Sequence, residues 1–235
     1  MPERPASAAA ARPALPAAVL WDLDGTLVDT EPYWMECEAA LVAEHGGHWS
    51  IQDAHALVGN DLRVSAAYIR EHGGVPLEPE QIIRELIAGV TERVRQRVPW
   101  RPGALDLLAD LHRHRVPCAL VTMSYRGLAE AVVAALPTGR FACLVTGDEV
   151  SHGKPHPEPY LVAAAELSVP PADCVAIEDS PTGVASAEAA GVPVLAVEHL
   201  VPIAARPGRV LLHTLAGLSA ADLLPLFRLE AAAAP

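Results

Sequence analysis

Short apolar runs alternate along the chain with segments whose apolar residues recur every three to four positions. The first run, Ala18-Val-Leu-Trp-Asp-Leu23, ends at the polar turn Asp24-Gly25-Thr26, which is typical of a buried strand followed by a loop. Strand–helix alternation of this kind predicts an α/β fold, a Rossmann-like parallel sheet core flanked by helices on both faces. The remaining strand patterns lie at Pro117–Thr122, Phe141–Val145, Cys174–Ile177, Val192–Val197 and, at the edge of the sheet, Arg209–His213. The core helices are predicted at 103–114, 126–136, 157–167, 181–190 and near 219–228.

The stretch from residue 33 to residue 99 departs from this alternation, because helical periodicity runs through all of it. Apolar residues between Ile83 and Val98 recur every three to four positions and mark one face of a long helix. Turn residues bracket the stretch at Glu31-Pro32 and at Pro99–Gly103, as two hinges would. The pattern predicts an inserted all-helical cap domain after the first strand, with helices at 33–45, 61–72 and 79–97.

The chain is thus predicted to contain three regions: a disordered tail at 1–17, an α/β catalytic core at 18–32 and 100–235, and the helical cap at 33–99. The tail is rich in Ala, Pro and Arg, a composition that does not form a packed core. Pro13 and Pro16 interrupt its apolar residues, whereas a secretory signal peptide needs about 7–15 uninterrupted ones after its positive start. We therefore expect no signal peptide.

The amino-acid composition argues against two classes of binding partner, nucleic acids and membranes. The chain has 29 acidic and 17 basic residues, a formal net charge of −12, which opposes binding to nucleic acid or to an anionic membrane surface. No apolar run approaches the roughly 20 residues that span a bilayer. The four cysteines form no CxxC motif and each lies in or beside an apolar stretch, which favours buried free thiols. We expect a cytoplasmic monomer that acts on a small molecule.

Polar residues follow the predicted strands at the edge where open parallel sheets bind their ligands. Asp22 and Asp24 are two residues apart, a spacing that places both carboxylates on the same side of an extended chain. Lys154 is the only lysine in the chain, and a compact ammonium in a background of arginine suits a charge directed at phosphate. The complete set is Asp22, Asp24, Thr122, Ser124, Lys154, Glu178 and Asp179.

Carboxylates gathered at one sheet edge repel one another, by roughly 4 kcal/mol per pair at 4 Å with an effective dielectric constant of 20. A hard divalent cation with oxygen ligands offsets this repulsion. Mg²⁺ binds one or two carboxylates and takes further oxygens from water or from a phosphate. Thr122 and Lys154 are placed to bind the same phosphate from the other side. The residues therefore predict a Mg²⁺-dependent site for a phosphorylated ligand.

Four segments resemble, in order, the four motifs of the haloacid dehalogenase superfamily. They are Asp22-Leu-Asp24-Gly-Thr-Leu-Val-Asp-Thr-Glu31, Thr122, Gly-Lys154-Pro and Glu178-Asp179-Ser180. The similarity is greatest to the sugar-phosphatase and β-phosphoglucomutase-like branch, which carries a helical cap after the first strand. It extends from about residue 18 to about residue 230.

The resemblance implies a role for each matching core residue. Asp22 would be the nucleophile that forms an aspartyl-phosphate, and Asp24 the general acid that later acts as the base for water. Thr26 would orient Asp24. Thr122 and Lys154 would steady the phosphoryl oxygens as charge spreads over them. Mg²⁺ would be held by Asp22, the backbone carbonyl of Asp24, Asp179 and, directly or through water, Glu178.

The cap segment at 58–63 is the predicted substrate reader, with Asn60 and Arg63 as candidate binding residues beside Thr122, Ser124 and Lys154 of the core. Trp34 is either a core residue or a platform for a sugar ring. Arg63 also fits a solvated helix charge. These residues do not identify the substrate.

The favoured function is a Mg²⁺-dependent phosphatase that hydrolyses a small phosphorylated metabolite, a sugar or polyol phosphate. A phosphomutase of the β-phosphoglucomutase type shares every core motif and remains the closest alternative. Dehalogenation has no use for the second acid Asp24, and phosphonate cleavage needs a cap lysine, which residues 33–100 lack. A receiver-like signalling domain or a non-enzymatic binding module is a more distant alternative, since a receiver has about half this length.

Overall fold

The computed structural model describes residues 14–58 and 60–227, and it confirms the predicted Rossmann-like core. All six predicted strands form: β1 (Ala18–Trp21), β2 (Cys118–Val121), β3 (Cys143–Val145), β4 (Cys174–Glu178), β5 (Val194–Val197) and β6 (Arg209–Leu212). They pair in parallel in the order β3-β2-β1-β4-β5-β6. The chain order reverses between β1 and β4, so the loops after these central strands open at the switch point where such sheets bind ligands.

Four helices make up the cap between β1 and the rest of the core: α1 (Glu31–Glu44), α2 (Ile51–Leu57), α3 (Leu62–His72) and α4 (Pro79–Gln96). Helix α1 begins two residues before its predicted start, with Pro32 in its first turn, where proline needs no hydrogen-bond donor. The first predicted hinge, Glu31-Pro32, is therefore helical. Helix α2 was not predicted, although Ser50 and Asp53 form a reciprocal capping box at its start.

Alternate strand residues face opposite sides of the sheet, and helices cover both sides. Ala18 and Leu20 of β1 lie in one apolar cluster with residues of α7 (Glu158–Glu166) and α8 (Pro181–Ala189). Val19 and Trp21 lie in the other cluster, with residues of α5 (Ala104–Arg113), α6 (Arg126–Val133) and the cap helices.

The two segments that join the cap to the core lie side by side. The backbone N–H of Asp29 donates to the carbonyl of Pro99 at 2.7 Å, and the N–H of Arg101 donates to the carbonyl of Leu27 at 3.0 Å. Val28 and Trp100 form an isolated antiparallel bridge between these contacts. The chain thus leaves and rejoins the core through one short double-stranded stem.

The predicted tail is only partly covered by the described residues. Pro16 is buried and the N–H of Ala17 donates to the carbonyl of Asp173 at 2.9 Å, so the ordered chain begins before residue 18. The rest of the predicted tail, residues 1–13, lies outside the described residues. The predicted terminal helix is helical at 223–227, and residue 228 lies outside them too.

All four cysteines are free thiols, as expected, and only Cys143 is partly exposed. Within the described ranges, no helix combines the length and apolar character needed to cross a membrane.

Candidate active site

The loop after β1 brings Asp22 and Asp179 together. The N–H of Asp22 donates to the carbonyl of Ile177, which joins the end of β1 to β4. Gly25 has a φ of +89°, and a Cβ there would lie 1.9 Å from Oδ2 of Asp179. Glycine is therefore required at this position both by the left-handed backbone and by the approach of the Asp179 carboxylate.

Lys154 is buried among three oxygen acceptors. Its Nζ lies 2.7 Å from Oδ1 of Asp22, 2.6 Å from Oε1 of Glu178 and 2.9 Å from the carbonyl of Val121. Burial lowers the pKa of Lys154, but the two carboxylates more than offset that effect and leave it above its ordinary value. The ammonium is therefore charged, and it joins the strand-end carboxylates into one buried unit.

Tyr160 of α7 is a member of the site that the sequence did not reveal. Its hydroxyl donates to Oε1 of Glu178 at 2.6 Å, and its side chain is fully buried. The other oxygen of Glu178 accepts from the N–H of Asp179 at 3.3 Å and from the hydroxyl of Ser180 at 3.4 Å. A Cβ on Gly183 would lie 2.0 Å from Glu178, so the start of α8 leaves room for this carboxylate. Glu178 is thereby held rigidly behind the site.

Four side chains hold the carboxylate of Asp24. The hydroxyl of Ser124 donates to Oδ2 at 2.7 Å and that of Thr122 at 3.3 Å. On the cap side, Thr30 and the indole N–H of Trp34 donate to Oδ1, the latter at 3.2 Å. Trp34 therefore packs in the core of the cap and also contacts the site directly. Asp24 is the point at which cap and core side chains meet.

The predicted role of Thr26 in orienting Asp24 is wrong. The Thr26 hydroxyl donates to Oδ1 of Asp179 at 3.3 Å instead. The tight turn after β1, closed by the bond from the N–H of Gly25 to the carbonyl of Val28, points the Thr26 side chain towards β4. The chain then returns at the start of α1, where Thr30 takes the place next to Asp24.

The predicted metal ligands Asp22, Glu178 and Asp179 form a buried cluster with ligand atoms within 4.8 Å of one another. Burial and then the charge of Glu178 raise the pKa of Asp22 to about 7, while burial and then Asp22 hold that of Asp179 well above its usual range. Oδ2 of Asp22 has no hydrogen-bond partner among the described residues. An orphaned buried oxygen beside a second acid fits a divalent cation with oxygen ligands. The side chain of Asp24 lies outside this cluster; its predicted ligand atom is the backbone carbonyl.

A cavity of about 70 Å³ joins the strand-end residues to the inner face of the cap. Asn60 lines it, with its side-chain amide bonded to the carbonyl of Ala56 at 2.9 Å. Arg63 does not line it, because Leu62 occupies the inward side of the first turn of α3 and Arg63 faces solvent. The position of Arg63 therefore does not support its predicted role in substrate binding. The cap residues that line the cavity are Glu31, Trp34, Glu38, Ala54, Leu57, Val58, Asn60, Leu62, Ser65 and Leu86.

Several curated relatives of similar length are named as phosphatases. The fructose-1-phosphate phosphatase YqaB of Escherichia coli is 32% identical over 185 residues, which are 78% of this chain and 97% of that protein. The bifunctional riboflavin kinase/FMN phosphatase of Arabidopsis thaliana is 34% identical over 188 residues, 79% of this chain. The chain spans about half of that longer protein, 49% of its length.

Solved structures share the fold. CbbY from Rhodobacter sphaeroides in complex with phosphate superposes with a TM-score of 0.80 at 28% identity, covering 88% of this chain and 100% of that one. A family model described as haloacid dehalogenase-like hydrolase matches residues 16–191, the span that holds all seven strand-end residues of the site. The chain therefore belongs to the haloacid dehalogenase-like hydrolases, as its motifs predicted.

Proposed function

We propose that the protein is a phosphatase that hydrolyses a small phosphorylated metabolite, a sugar or polyol phosphate, through an aspartyl-phosphate intermediate. The observation that carries the proposal is the state of Asp22. One of its oxygens is paired with Lys154, and the other is buried without a partner among the residues that the structure describes, at the point where β1 opens into the cavity. The phosphatase relatives support the same reaction class.

Asp22 acts as the nucleophile. Its carboxylate attacks phosphorus as the bond from phosphorus to the substrate's ester oxygen breaks, which leaves the phosphoryl group on Asp22. Lys154, 2.7 Å from Oδ1, stays next to that group and balances its charge. Thr122 and Ser124 line the same space. The Thr122 hydroxyl, whose bond to Asp24 is long at 3.3 Å, turns to donate to a phosphoryl oxygen, while the Ser124 hydroxyl stays on Asp24.

Asp24 acts as the general acid and then as the general base. It gives a proton to the departing ester oxygen, and it later takes a proton from the water that attacks the aspartyl-phosphate. The donors around its carboxylate, Thr30, Trp34 and Ser124, fix its orientation for both steps. Water attack returns Asp22 and releases inorganic phosphate.

Asp22, Asp179 and the backbone carbonyl of Asp24 would hold Mg²⁺, with Glu178 behind them. When bound, the cation supplies positive charge that offsets the carboxylates and the phosphoryl oxygens. Glu178 already accepts hydrogen bonds from Lys154 and Tyr160, so its main role in this proposal is to position Lys154.

The cap, predicted at 33–99 and extended to Glu31 by helix α1, closes the site in this proposal over the core, predicted at 18–32 and 100–235. A cavity of about 70 Å³ is smaller than the roughly 300 Å³ or more of a typical ligand pocket, so the cap moves away to admit a sugar phosphate. The cap pivots about the stem, in which residues 27–29 pair with residues 99–101.

The free cysteines and the acidic net charge support the proposal of a cytoplasmic monomer.

A phosphomutase remains the second candidate, because it uses the same strand-end residues and returns the phosphoryl group to a second hydroxyl. The family match removes the support for a receiver-like or non-enzymatic module.

The proposed function is tested by measuring phosphate release from a panel of sugar and polyol phosphates with and without Mg²⁺. Rapid quenching and mass spectrometry of the Asp22 peptide detect the phosphorylated enzyme.

Asp22→Asn is expected to abolish both phosphate release and the covalent adduct, since an amide is a poor nucleophile. Asp106→Asn, at an exposed position on α5, is the matched control and keeps full activity. An isomerised phosphate ester without free phosphate would favour the mutase. Turnover by folded Asp22→Asn above a few per cent of the wild-type rate would rule out the covalent route.

A further inference from the structure

Two acids of the cap line the cavity with little exposure to solvent. Glu31 and Glu38 are 7% and 5% exposed, and both belong to α1. Seven residues separate them, a rise of about 10 Å along the same face of the helix. Burial and then the charges of neighbouring carboxylates, among them Asp24 and Asp22, raise the pKa of Glu31. No strand-end carboxylate contributes to the pKa of Glu38, whose side chain contacts Trp49 of the cap. Glu38 therefore lines the part of the cavity remote from Asp22.

The carboxyl group of Glu38 is fixed on one side and open on the other. Its Oε2 accepts from the indole N–H of Trp49 at 3.4 Å. Its second oxygen bonds to none of the residues that the structure describes, and neither oxygen of Glu31 accepts a bond from them. These oxygens are not among the fully buried atoms that lack a partner, so they are open to the cavity, where a ligand that enters can bond to them.

The cap side of the cavity holds no positive charge among the described residues. Lys154 is the single cationic residue that lines the cavity, and it belongs to the core, where it pairs with Asp22. The arginines of the cap do not reach the lining. A second phosphate on the substrate would therefore lie against Glu31 and Glu38 with no cation to neutralise it.

Resting on the proposed phosphatase function, we propose that Glu38 is a specificity-determining residue that hydrogen-bonds a hydroxyl group at the end of the substrate remote from its phosphate. The substrate class is then a monophosphate of a neutral polyhydroxylated chain, and a bisphosphate is rejected. The lack of a cation among the described cap residues that line the cavity also separates this protein from a mutase that holds a bisphosphorylated intermediate.

The protonation of Glu38 agrees with this assignment. Burial raises its pKa to about 8, although the Trp49 hydrogen bond acts in the opposite direction. At neutral pH the group is therefore a carboxylic acid, which both donates and accepts a hydrogen bond. A hydroxyl group has the same two capacities, whereas a phosphate at that pH chiefly accepts.

The test compares kcat/KM for a hexitol monophosphate, for hexyl phosphate of equal chain length, and for a hexose bisphosphate. Glu38→Leu should lower the ratio of hexitol monophosphate to hexyl phosphate about tenfold or more, through KM, because the hydroxyl loses its partner. Glu38→Gln keeps a donor and an acceptor and should restore most of the ratio. Glu36→Leu, an exposed position on the same helix, is the matched control and leaves the ratio unchanged.

Wild-type enzyme should also prefer the monophosphate to the bisphosphate by about tenfold or more, a comparison that needs no variant to fold. A ratio that Glu38→Leu leaves unchanged, a Gln variant as poor as the Leu variant, or equal use of the bisphosphate would each overturn the proposal. Hydrolysis of p-nitrophenyl phosphate by the wild type reports on the phosphatase function alone. Activity on that ester without a polyol preference overturns only the role of Glu38, whereas inactivity towards every ester overturns both.

Discussion

Lys154 and Asp22 form a buried ion pair, with Nζ and Oδ1 2.7 Å apart and side chains 3% and 9% exposed. The sequence predicts that each of these residues meets the phosphate, but not that they meet each other. The pairing means that the ammonium already lies beside the atom on which the phosphoryl group is to be carried. It also means that removing the Lys154 charge leaves Asp22 and Glu178 uncompensated, whereas removing the Asp22 charge leaves Lys154 paired with Glu178.

We expect Lys154→Met to destabilise the fold by about 3–5 kcal/mol, because Asp22 and Glu178 would then be buried without their cation. Adding Glu178→Gln should recover part of that loss without restoring activity. Urea unfolding of the single and double variants measures the effect. Equal stability of the two variants would show that the carboxylates do not repel each other there.

Asp24→Asn should slow hydrolysis of the aspartyl-phosphate as well as its formation, because one side chain serves as acid and then as base. An activated aryl phosphate needs little protonation, so with this ester the dephosphorylation step should limit turnover. Rapid-quench trapping would then show the phosphorylated enzyme accumulating. Wild-type rates of phosphate release by the variant would remove Asp24 from the role of base.

Metal binding should stabilise the protein by relieving repulsion among Asp22, Glu178 and Asp179. Asp179→Asn should raise the melting temperature of the metal-free protein, since burial and neighbouring charges hold the pKa of Asp179 well above its usual range. Mg²⁺ should raise the melting temperature of the wild type and have little effect on the variant. Thermal melts with EDTA and with Mg²⁺ test both statements. A variant that Mg²⁺ stabilises as much as the wild type would place the ion elsewhere.

Two helical glycines give a matched steric test. An alanine Cβ at Gly183 would lie 2.0 Å from Oε1 of Glu178, so Gly183→Ala should displace that carboxylate and reduce activity about tenfold or more. Gly127→Ala, in α6, meets no atom within 4 Å and should leave activity unchanged and stability equal or slightly higher. Steady-state kinetics with p-nitrophenyl phosphate measure the difference. Full activity in Gly183→Ala would mean that Glu178 need not be held in place.

Glu38 should make the stability of the protein depend on pH. Its ordinary pKa is 4.5 and burial raises it to about 8 in the folded protein, so its stabilising contribution is complete below pH 4.5 and is lost as the pH rises through 8. The stability of Glu38→Gln relative to the wild type should therefore rise by up to about 5 kcal/mol between these limits. Denaturant unfolding at several pH values measures the gain. Glu36→Gln, at an exposed position, should show almost none, and a flat difference for Glu38→Gln would contradict its burial as an acid.

The strands and the residues that follow them could be predicted from the sequence, because a buried strand is a short apolar run and its end is marked by a polar turn. Asp22, Thr122 and Asp179 meet for that reason alone. The acids of α1 could not be recognised in this way. Glu31, Glu38 and the exposed Glu36 look alike in the sequence, and only the folding of the cap helices over α1 separates them.

Tyr160 was missed for a related reason. It lies on the apolar face of α7, where an aromatic residue is normally interpreted as part of the hydrophobic core. Its contact with Glu178 depends on how α7 packs against β4, which the sequence does not show. Helix α2 was missed because seven residues carry too few turns for a periodic pattern. Its only local marker is the capping box of Ser50 and Asp53.

The stem formed by Leu27–Asp29 and Pro99–Arg101 allows the segment beyond it, the cap, to differ in length or sequence without a change in the sheet. Because the two strands of the stem hydrogen-bond to each other, β1 and α5 are joined as if by a tight turn, whatever the length of the chain beyond it. Closing the longer loop costs conformational entropy, but the stem carries this cost, and the stability of the sheet hardly depends on the length of the cap. Selection can thus reshape the cap, and with it the choice of substrate, while the sheet keeps its geometry, as long as Thr30 and Trp34 continue to hold Asp24.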